Sequence, residues 1–159
     1  MNKPLLIQQI LATLAAELAT CTRSARSAHA DATDEQNKAE NKYDTRGLEA
    51  SYLARGQAQQ AADVMAAIQR YEGFGARDYK PGEPIDLCAA IELESNGERT
   101  LYFLGPHAGG AEIIQEGLPI FVITPTSPLG RQLVGKRQGE KLQLKLGPIP
   151  ETFHITRVW

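Results

Sequence analysis

Seven residues near the start of the chain, Ile7, Leu11, Leu14, Leu18, Cys21, Ala25 and Ala28, follow one another at alternating intervals of four and three without a miss. That is the heptad period of a coiled-coil seam, and it commits the segment to a long helix with another helix alongside. A second series, Ala39, Tyr43, Gly47 or Arg46, Ala50, Leu53, Gln57, Ala61, Val64, Ile68 and Tyr71, supplies that neighbour. Residues 29–42 between them have almost nothing to bury, so the two seams predict an antiparallel coiled-coil hairpin within one chain. Large seam residues sit at its root and small ones towards its turn. Two positions suit the turn. Thr33-Asp34-Glu35-Gln36 has the form of a capping box, a Thr hydroxyl capping a helix and a Gln reaching back, which places the turn at 29–33. Equal arms place it at 36–41, where Ile7 faces Tyr71, and the spacing leans to this later turn. At ~1.5 Å of rise per residue each arm spans ~40–50 Å, so the hairpin is expected to project as a probe or lever.

The composition changes near Gly73. Residues 1–72 hold two of the 14 glycines, one of the nine prolines and sixteen alanines, whereas residues 73–159 hold the other twelve glycines and eight prolines. The first part is written for helix and the second for strands and turns, which predicts an α+β chain with a hairpin over 1–73 and a β domain over 74–159. Strands are expected at Ile85–Glu94, Arg99–Leu104, Ala111–Ile114, Ile120–Thr124, Lys141–Leu146 and Thr152–Val158, with Cys88 inside the first. Asn96-Gly97 is a type I′ hairpin signal. Ser127 to Gly135 reads as one short helix, with Ser127 as N-cap, Pro128 at N1 and Gly135 at the stop. Five or six strands with that helix across them complete the domain.

Several function classes fall away. No run approaches the ~20 apolar residues of a membrane span, and the apolar start, interrupted by Gln8, Gln9 and Glu17, lacks the small-residue cleavage site of a signal peptide. Cys21 and Cys88 are too few for a disulfide framework and lack metal-ligand spacing, so a cytoplasmic protein with reduced thiols is expected. A net charge of −2 excludes a generally basic nucleic-acid binder. Gly105 to Gly110 is a turn without the Lys-Ser/Thr of a phosphate loop, and His29, His107 and His154 have no ligand spacing. A local basic patch remains, Arg131, Lys136, Arg137, Lys141 and Lys145 around Glu140, suited to an acidic partner surface and equally to ordinary solvent.

Thr124-Pro-Thr-Ser-Pro-Leu-Gly-Arg-Gln-Leu-Val-Gly-Lys-Arg-Gln-Gly-Glu140 resembles the stretch V-x-S-P-[IL]-[AG]-[RK]-A-L-[IL]-G-K-x-x-G-D of the bacterial transcription elongation factors GreA and GreB. The final Thr152-Phe-His-Ile-Thr-Arg-Val158 is similar to that family's closing Y-E-I-x-x-[IV], and together they cover about 35 residues. The acidic tip motif of the family, G-D-L-x-E-N-A-E-Y, is matched in part by Asn37-Lys-Ala-Glu40-Asn41-Lys-Tyr43. Glu40-Asn41 is kept, Asn37 stands in place of Asp, the Gly is missing and Tyr43 arrives one residue early. Residues 44–54 resemble a divergent Gre-like branch, and Asp31-Ala-Thr-Asp34 is similar to the D-x-x-D at the coiled-coil tip of DksA.

The resemblance implies an FKBP-like antiparallel β domain with one short helix behind the hairpin, and RNA polymerase as partner. The factor would be a monomer, not an enzyme itself, with Arg131, Lys136 and Arg137 available for docking. The coil would enter the secondary channel and place carboxylates near the nascent RNA 3′ end. Those would help to hold a Mg²⁺ shared with the polymerase, the chain having no cofactor of its own. Glu40 is the first candidate for that catalytic and metal role and Asp34 the second, with Asp31 and Glu35 beside them. Other readings stay open. Asp34 and Glu35 after Thr33 also suit the positive end of a helix dipole, worth ~0.3–1 kcal/mol each, and charges keep a bare hairpin soluble. A DksA-like regulator that binds the channel without cleavage, a peptidyl-prolyl isomerase or chaperone of the same fold, and a coiled-coil scaffold complete the alternatives.

Overall fold

Helix α1 runs Lys3–Thr33 and helix α2 Arg46–Phe74, in a computed structural model that describes residues 1–33, 46–144 and 150–159. The seam of α1 is the one its spacing dictates. Ile7, Leu14, Cys21 and Ala28 are buried, and Leu11, Leu18 and Ala25 between them are half-buried. On α2 the seam reads 47, 50, 54, 57, 61, 64, 68 and 71, an unbroken 3-4 alternation. Leu53, expected in it, is 56% exposed, and Ala54 takes the place. A small residue fits there because the opposing seam positions are themselves small. Residues 29–33 are helical, which removes the earlier turn; the later one, at 36–41, lies outside the described residues. The rest of the capping box lies outside the described residues, and Thr33 lies inside α1. Its hydroxyl donates back to the carbonyls of His29 (2.9 Å) and Ala30 (3.2 Å), as a Thr inside a last turn does.

Helix α1 adds one fact to the membrane expectation without overturning it. It contains an 18-residue window of mean hydropathy 1.4, long and apolar enough, by length and composition alone, to cross a membrane. Counting uninterrupted apolar residues missed it because alanine and leucine outweigh Gln8, Gln9 and Glu17. Here Leu6 and Ile10 of that helix are fully buried within the chain and Leu14 nearly so, while Leu5 is exposed.

The chain divides by contacts into two units, and not at the change in composition. One is Ala12–Gln69; the other joins Met1–Leu11 to Arg70–Trp159. In the first, α1 and α2 lie antiparallel, with Gln60 Nε2 donating to Glu17 Oε1 at 3.5 Å. The second holds a six-stranded sheet: β1 (Ala90–Ser95), β2 (Glu98–Leu104), β3 (Glu112–Gln115), β4 (Leu118–Ile123), β5 (Lys141–Leu144) and β6 (Glu151–Val158). Their order is β3-β4-β2-β1-β6-β5. All neighbours are antiparallel except β2 and β4, which pair in parallel, Leu101 with Ile120 through Leu104 with Ile123. The sheet is thus mixed rather than wholly antiparallel, because the β3–β4 hairpin folds back and inserts its second strand beside β2.

Residues 85–89, expected as strand, form turns before β1. Asp86 Oδ1 accepts from Leu87 N (2.8 Å), Ala89 N donates to Asp86 O (3.1 Å), and Cys88 takes φ +66°, so Cys88 is not in a strand. Helix α3 (Pro128–Leu133) keeps the expected cap: Ser127 Oγ accepts from Gly130 N (3.0 Å) and donates to Thr124 O (2.8 Å). Gly130 is obligatory, since a Cβ there would overlap the Thr124 carbonyl oxygen.

The two faces of the sheet are buried differently. Ile91, Leu93, Leu104, Leu142, Leu144 and Ile155 pack with Ile85, Ala89 and Leu133 of α3, and Tyr102 and Phe121 lie ring to ring at 6.1 Å at the margin. The opposite face presents Ala90, Phe103, Ile113, Ile120 and Val122. The first turns of α1 are tied to that face. Gln115, two residues beyond Ile113 and buried, accepts from Asn2 N (2.8 Å) and donates to Asn2 O (3.0 Å), so its amide is satisfied at both ends.

Candidate functional site

Asp31 stands exposed in the last turn of α1, one turn beyond the buried Ala28 that ends the described seam. Asp34, Glu35 and Glu40, with Asn37, Asn41 and Tyr43, lie outside the described residues. Of the four tip carboxylates only Asp31 therefore has a described position. Among the described residues no group of three or more His, Cys, Asp or Glu side chains is arranged to hold a metal ion. A single exposed carboxylate such as Asp31 fits one ligand of a hard cation and leaves the rest of the shell to others.

The basic candidates sit on and after α3, where the chain's own groups already engage them. Arg131 Nε donates to Thr126 O (2.8 Å), which folds its side chain back along the helix start. Lys136 Nζ meets Glu140 Oε1 at 3.4 Å, and Arg137 N donates to Glu140 Oε2 at 2.5 Å. Arg137 Nη1 reaches across to Gly82 O (2.6 Å). Glu140 is consequently held below the ordinary carboxylate range, first by the Arg137 N–H and also by the Lys136 charge. The structure thus brings Lys136 and Arg137 together on one carboxylate and turns Arg131 to a different partner. Lys141 opens β5, exposed, and Lys145 lies outside the described residues.

Two further features of the β unit carry no sequence motif. The first is a cleft of about 580 Å³ between the end of α2 and the turns after β2 and β4, lined by Arg70, Phe74, Leu87, His107, Thr124 and Thr126 among others. Phe74 is exposed at its rim, and the Thr124 and Thr126 hydroxyls are 3.1 Å apart. Its wall is fixed by Tyr71, whose hydroxyl donates to His107 O at 2.7 Å; burial pushes that phenol well above its ordinary value. The segment 105–110 reads in sequence as a plain turn, and the signal that it frames a cleft is Tyr71, 36 residues upstream.

The second is Lys3, 3% exposed at the first turn of α1. Its ammonium donates to the carbonyls of Arg77 and Cys88 and lies 5.1 Å from the Tyr79 ring, which also takes the Arg77 guanidinium at 4.7 Å. Burial lowers the Lys3 pKa, with Asp78 acting against it, and burial likewise raises the Cys88 thiol. Arg77 Nη2 also donates to Glu83 Oε1 (2.5 Å), and together these contacts fasten the helix start to the 75–89 segment.

Fold and candidate site together describe an α+β chain in which an antiparallel helical hairpin precedes a β unit with one short capped helix. No protein-family model matches the chain, and no curated protein matches it in sequence. Among solved structures it is similar to the GreA factor homolog 1 (Gfh1) protein of Thermus thermophilus, at 23% identity over 96% of this chain and 92% of that one, with a TM-score of 0.39. It is similar also to Thermus aquaticus Gfh1, at 23% identity over 92% of each chain and a TM-score of 0.41. With the transcription elongation factor GreA/GreB from Nitrosomonas europaea it shares 17% identity over 70% of this chain and 91% of that one, at a TM-score of 0.37.

Proposed function

We propose that the chain is a Gre-like accessory factor of RNA polymerase in the cytoplasm, whose β unit docks on the enzyme while the hairpin carries its acidic tip into the secondary channel and promotes cleavage of a backtracked transcript. The observation that carries the reading is the pairing, in one chain, of two architectures. One is a hairpin whose seam dwindles from Tyr71, Ile68 and Leu14 to Ala28, Ala50 and Gly47, giving two helices thin enough for a narrow passage. The other is a β unit whose helix start, Ser127-Pro128-Leu129-Gly130, has the residues of the Gre-like stretch in structural use.

In this reading the chain performs no reaction alone. Mg²⁺ held jointly with the polymerase supplies charge stabilisation and an activated water. The tip contributes carboxylates beside the RNA 3′ end, Glu40 first and Asp34 second, with Asp31 and Glu35 near them. The cleft at Phe74 and His107, with Arg70 on its wall, gives the β unit an apolar surface with cationic borders for docking. An isomerase reading draws no support from that cleft, which holds one aromatic ring, Phe74, where a proline pocket needs several.

The test uses polymerase halted on a template with a backtracked, end-labelled transcript, to which the protein and its Glu40→Ala and Asp34→Ala variants are added. Shortening of the RNA that Glu40→Ala abolishes while binding persists is the expected result. Binding without shortening selects the second reading, a channel regulator that does not cleave, which Asn37 in place of the family's Asp favours. Absence of binding overturns both, and sedimentation that shows self-association through the helices puts a scaffold in their place.

A further inference from the structure

One side of the hairpin unit carries a shallow groove of about 760 Å³ between α1 and α2, which reaches in to the half-buried seam residues Leu18, Ala25, Ala54 and Ala61. Leu18 and Met65 close one end, and Met65 is 50% exposed. Its floor includes Ala58 and Ala62, exposed and one turn apart on α2. At the other end stand Arg26 and Arg55, one from each helix. Neither arginine makes an ion pair with a described residue, and no acidic side chain is among the described residues that line the groove. The floor is therefore apolar and the end cationic, with nothing among the described residues to neutralise it.

Each part restricts what belongs there. Alanines one turn apart let another helix come to close packing distance, ~8–10 Å between axes, and a methionine at the margin adapts to whatever ridge arrives. The helices offer no free backbone edge, so an added strand has nothing to pair with. Nucleic acid would satisfy the arginines but leave the alanine floor without an apolar partner. A second copy laid groove to groove would match floor to floor and leave the guanidiniums without carboxylates, since the same acid-free lining faces itself.

We propose that this groove receives an amphipathic α-helix of a partner protein, its small and apolar side chains on the alanine floor and its Asp or Glu residues against Arg26 and Arg55. The inference is independent of the polymerase reading and stands or falls separately from it. Arginine suits the role because its planar fork meets a carboxylate with two parallel hydrogen bonds.

The experiment titrates the full-length protein into two labelled helical peptides of about 18 residues, five turns. Both carry the same leucine–alanine face; one is flanked by glutamates and the other by lysines. The glutamate peptide should bind at least about tenfold more tightly, with affinity that falls as salt rises. Arg26→Glu with Arg55→Glu should reverse the preference. Ala58→Trp, at an exposed position outside the seam, should abolish binding of both while far-UV circular dichroism shows the helices intact. Equal affinity for the two peptides, no binding of either, or binding indifferent to Ala58→Trp overturns the proposal. So does sedimentation showing that copies associate without peptide and that Ala58→Trp separates them, which assigns the groove to a second copy.

Discussion

Tyr71 and Gly105 should be energetically coupled, and the structure sets the size of the effect. Tyr71 is 1% exposed, and its hydroxyl fills the space over Gly105 while donating to His107 O at 2.7 Å. A Cβ at position 105 would overlap that hydroxyl, with His107 O and Tyr71 Cζ each next at 3.1 Å. Gly105→Ala alone must displace a close-packed phenol and break its hydrogen bond, an overpacking cost of about 2–3 kcal/mol. Tyr71→Phe alone leaves the His107 carbonyl without that donor, about 1–2 kcal/mol. In the double variant the overlapping atom is gone. The new methyl meets only the 3.1 Å neighbours, which yield by a few tenths of an ångström, so Gly105→Ala should then cost about 1 kcal/mol or less. The pair should fall short of the sum of the singles by about 1–2 kcal/mol. Urea unfolding followed by Trp159 fluorescence reads the right unit, because this one Trp closes β6 and its backbone N–H and C=O both pair with Ala90 (2.9 and 3.3 Å). Additivity within about 0.5 kcal/mol would refute the reasoning, since the steric and hydrogen-bonding roles would then be independent.

Two other outcomes follow from burial. The Tyr71 phenol and the Cys88 thiol are pushed up by burial, so the folded chain keeps protons that the unfolded chain releases above about pH 10 and about pH 8.5 respectively. Their contribution is complete below those values and is lost as pH rises past them, while Lys3, lowered by burial, acts in the opposite sense up to about pH 10.4. Tyr71→Phe should therefore lose stability less steeply than the parent above about pH 10 in a pH series of urea midpoints, and equal slopes would contradict this. On the hairpin, Leu53→Gln should change the helix melting free energy by less than about 0.5 kcal/mol and Val64→Ala should cost about 1–2 kcal/mol. Comparable losses from the two would restore Leu53 to the seam.

What the sequence disclosed follows from how local each cause is. The seam of α1 is legible because its whole content is a spacing, and each of Ile7, Leu14, Cys21 and Ala28 is buried where the period puts it. On α2 side-chain size misled: Leu53 looks more like core than Ala54, yet the alternation runs through 54. Asn96-Gly97 and Ser127-Pro128 declare themselves because turn and cap chemistry act within four residues. Glu116-Gly117, a hairpin with positive φ at both residues, is silent because glutamate is no turn signal. The parallel β2–β4 pair, Asn2 with Gln115, and Lys3 on the carbonyls of Arg77 and Cys88 join residues far apart, and no local pattern announces them.

The same distinction governs the functional reading. Ser127 caps α3, and Gly130 is required by the Thr124 carbonyl, so the stretch that most resembles a known family is maintained by the folding of its own turn. Of the tip acids only Asp31 lies among the described residues. It lies exposed beyond the last buried seam residue, Ala28. The fold thus requires Ser127 and Gly130 whether or not the chain cleaves RNA. The resemblance over residues 124–140 therefore speaks for the fold of the β unit, and the proposed reaction is tested at the tip itself, by variants such as Glu40→Ala.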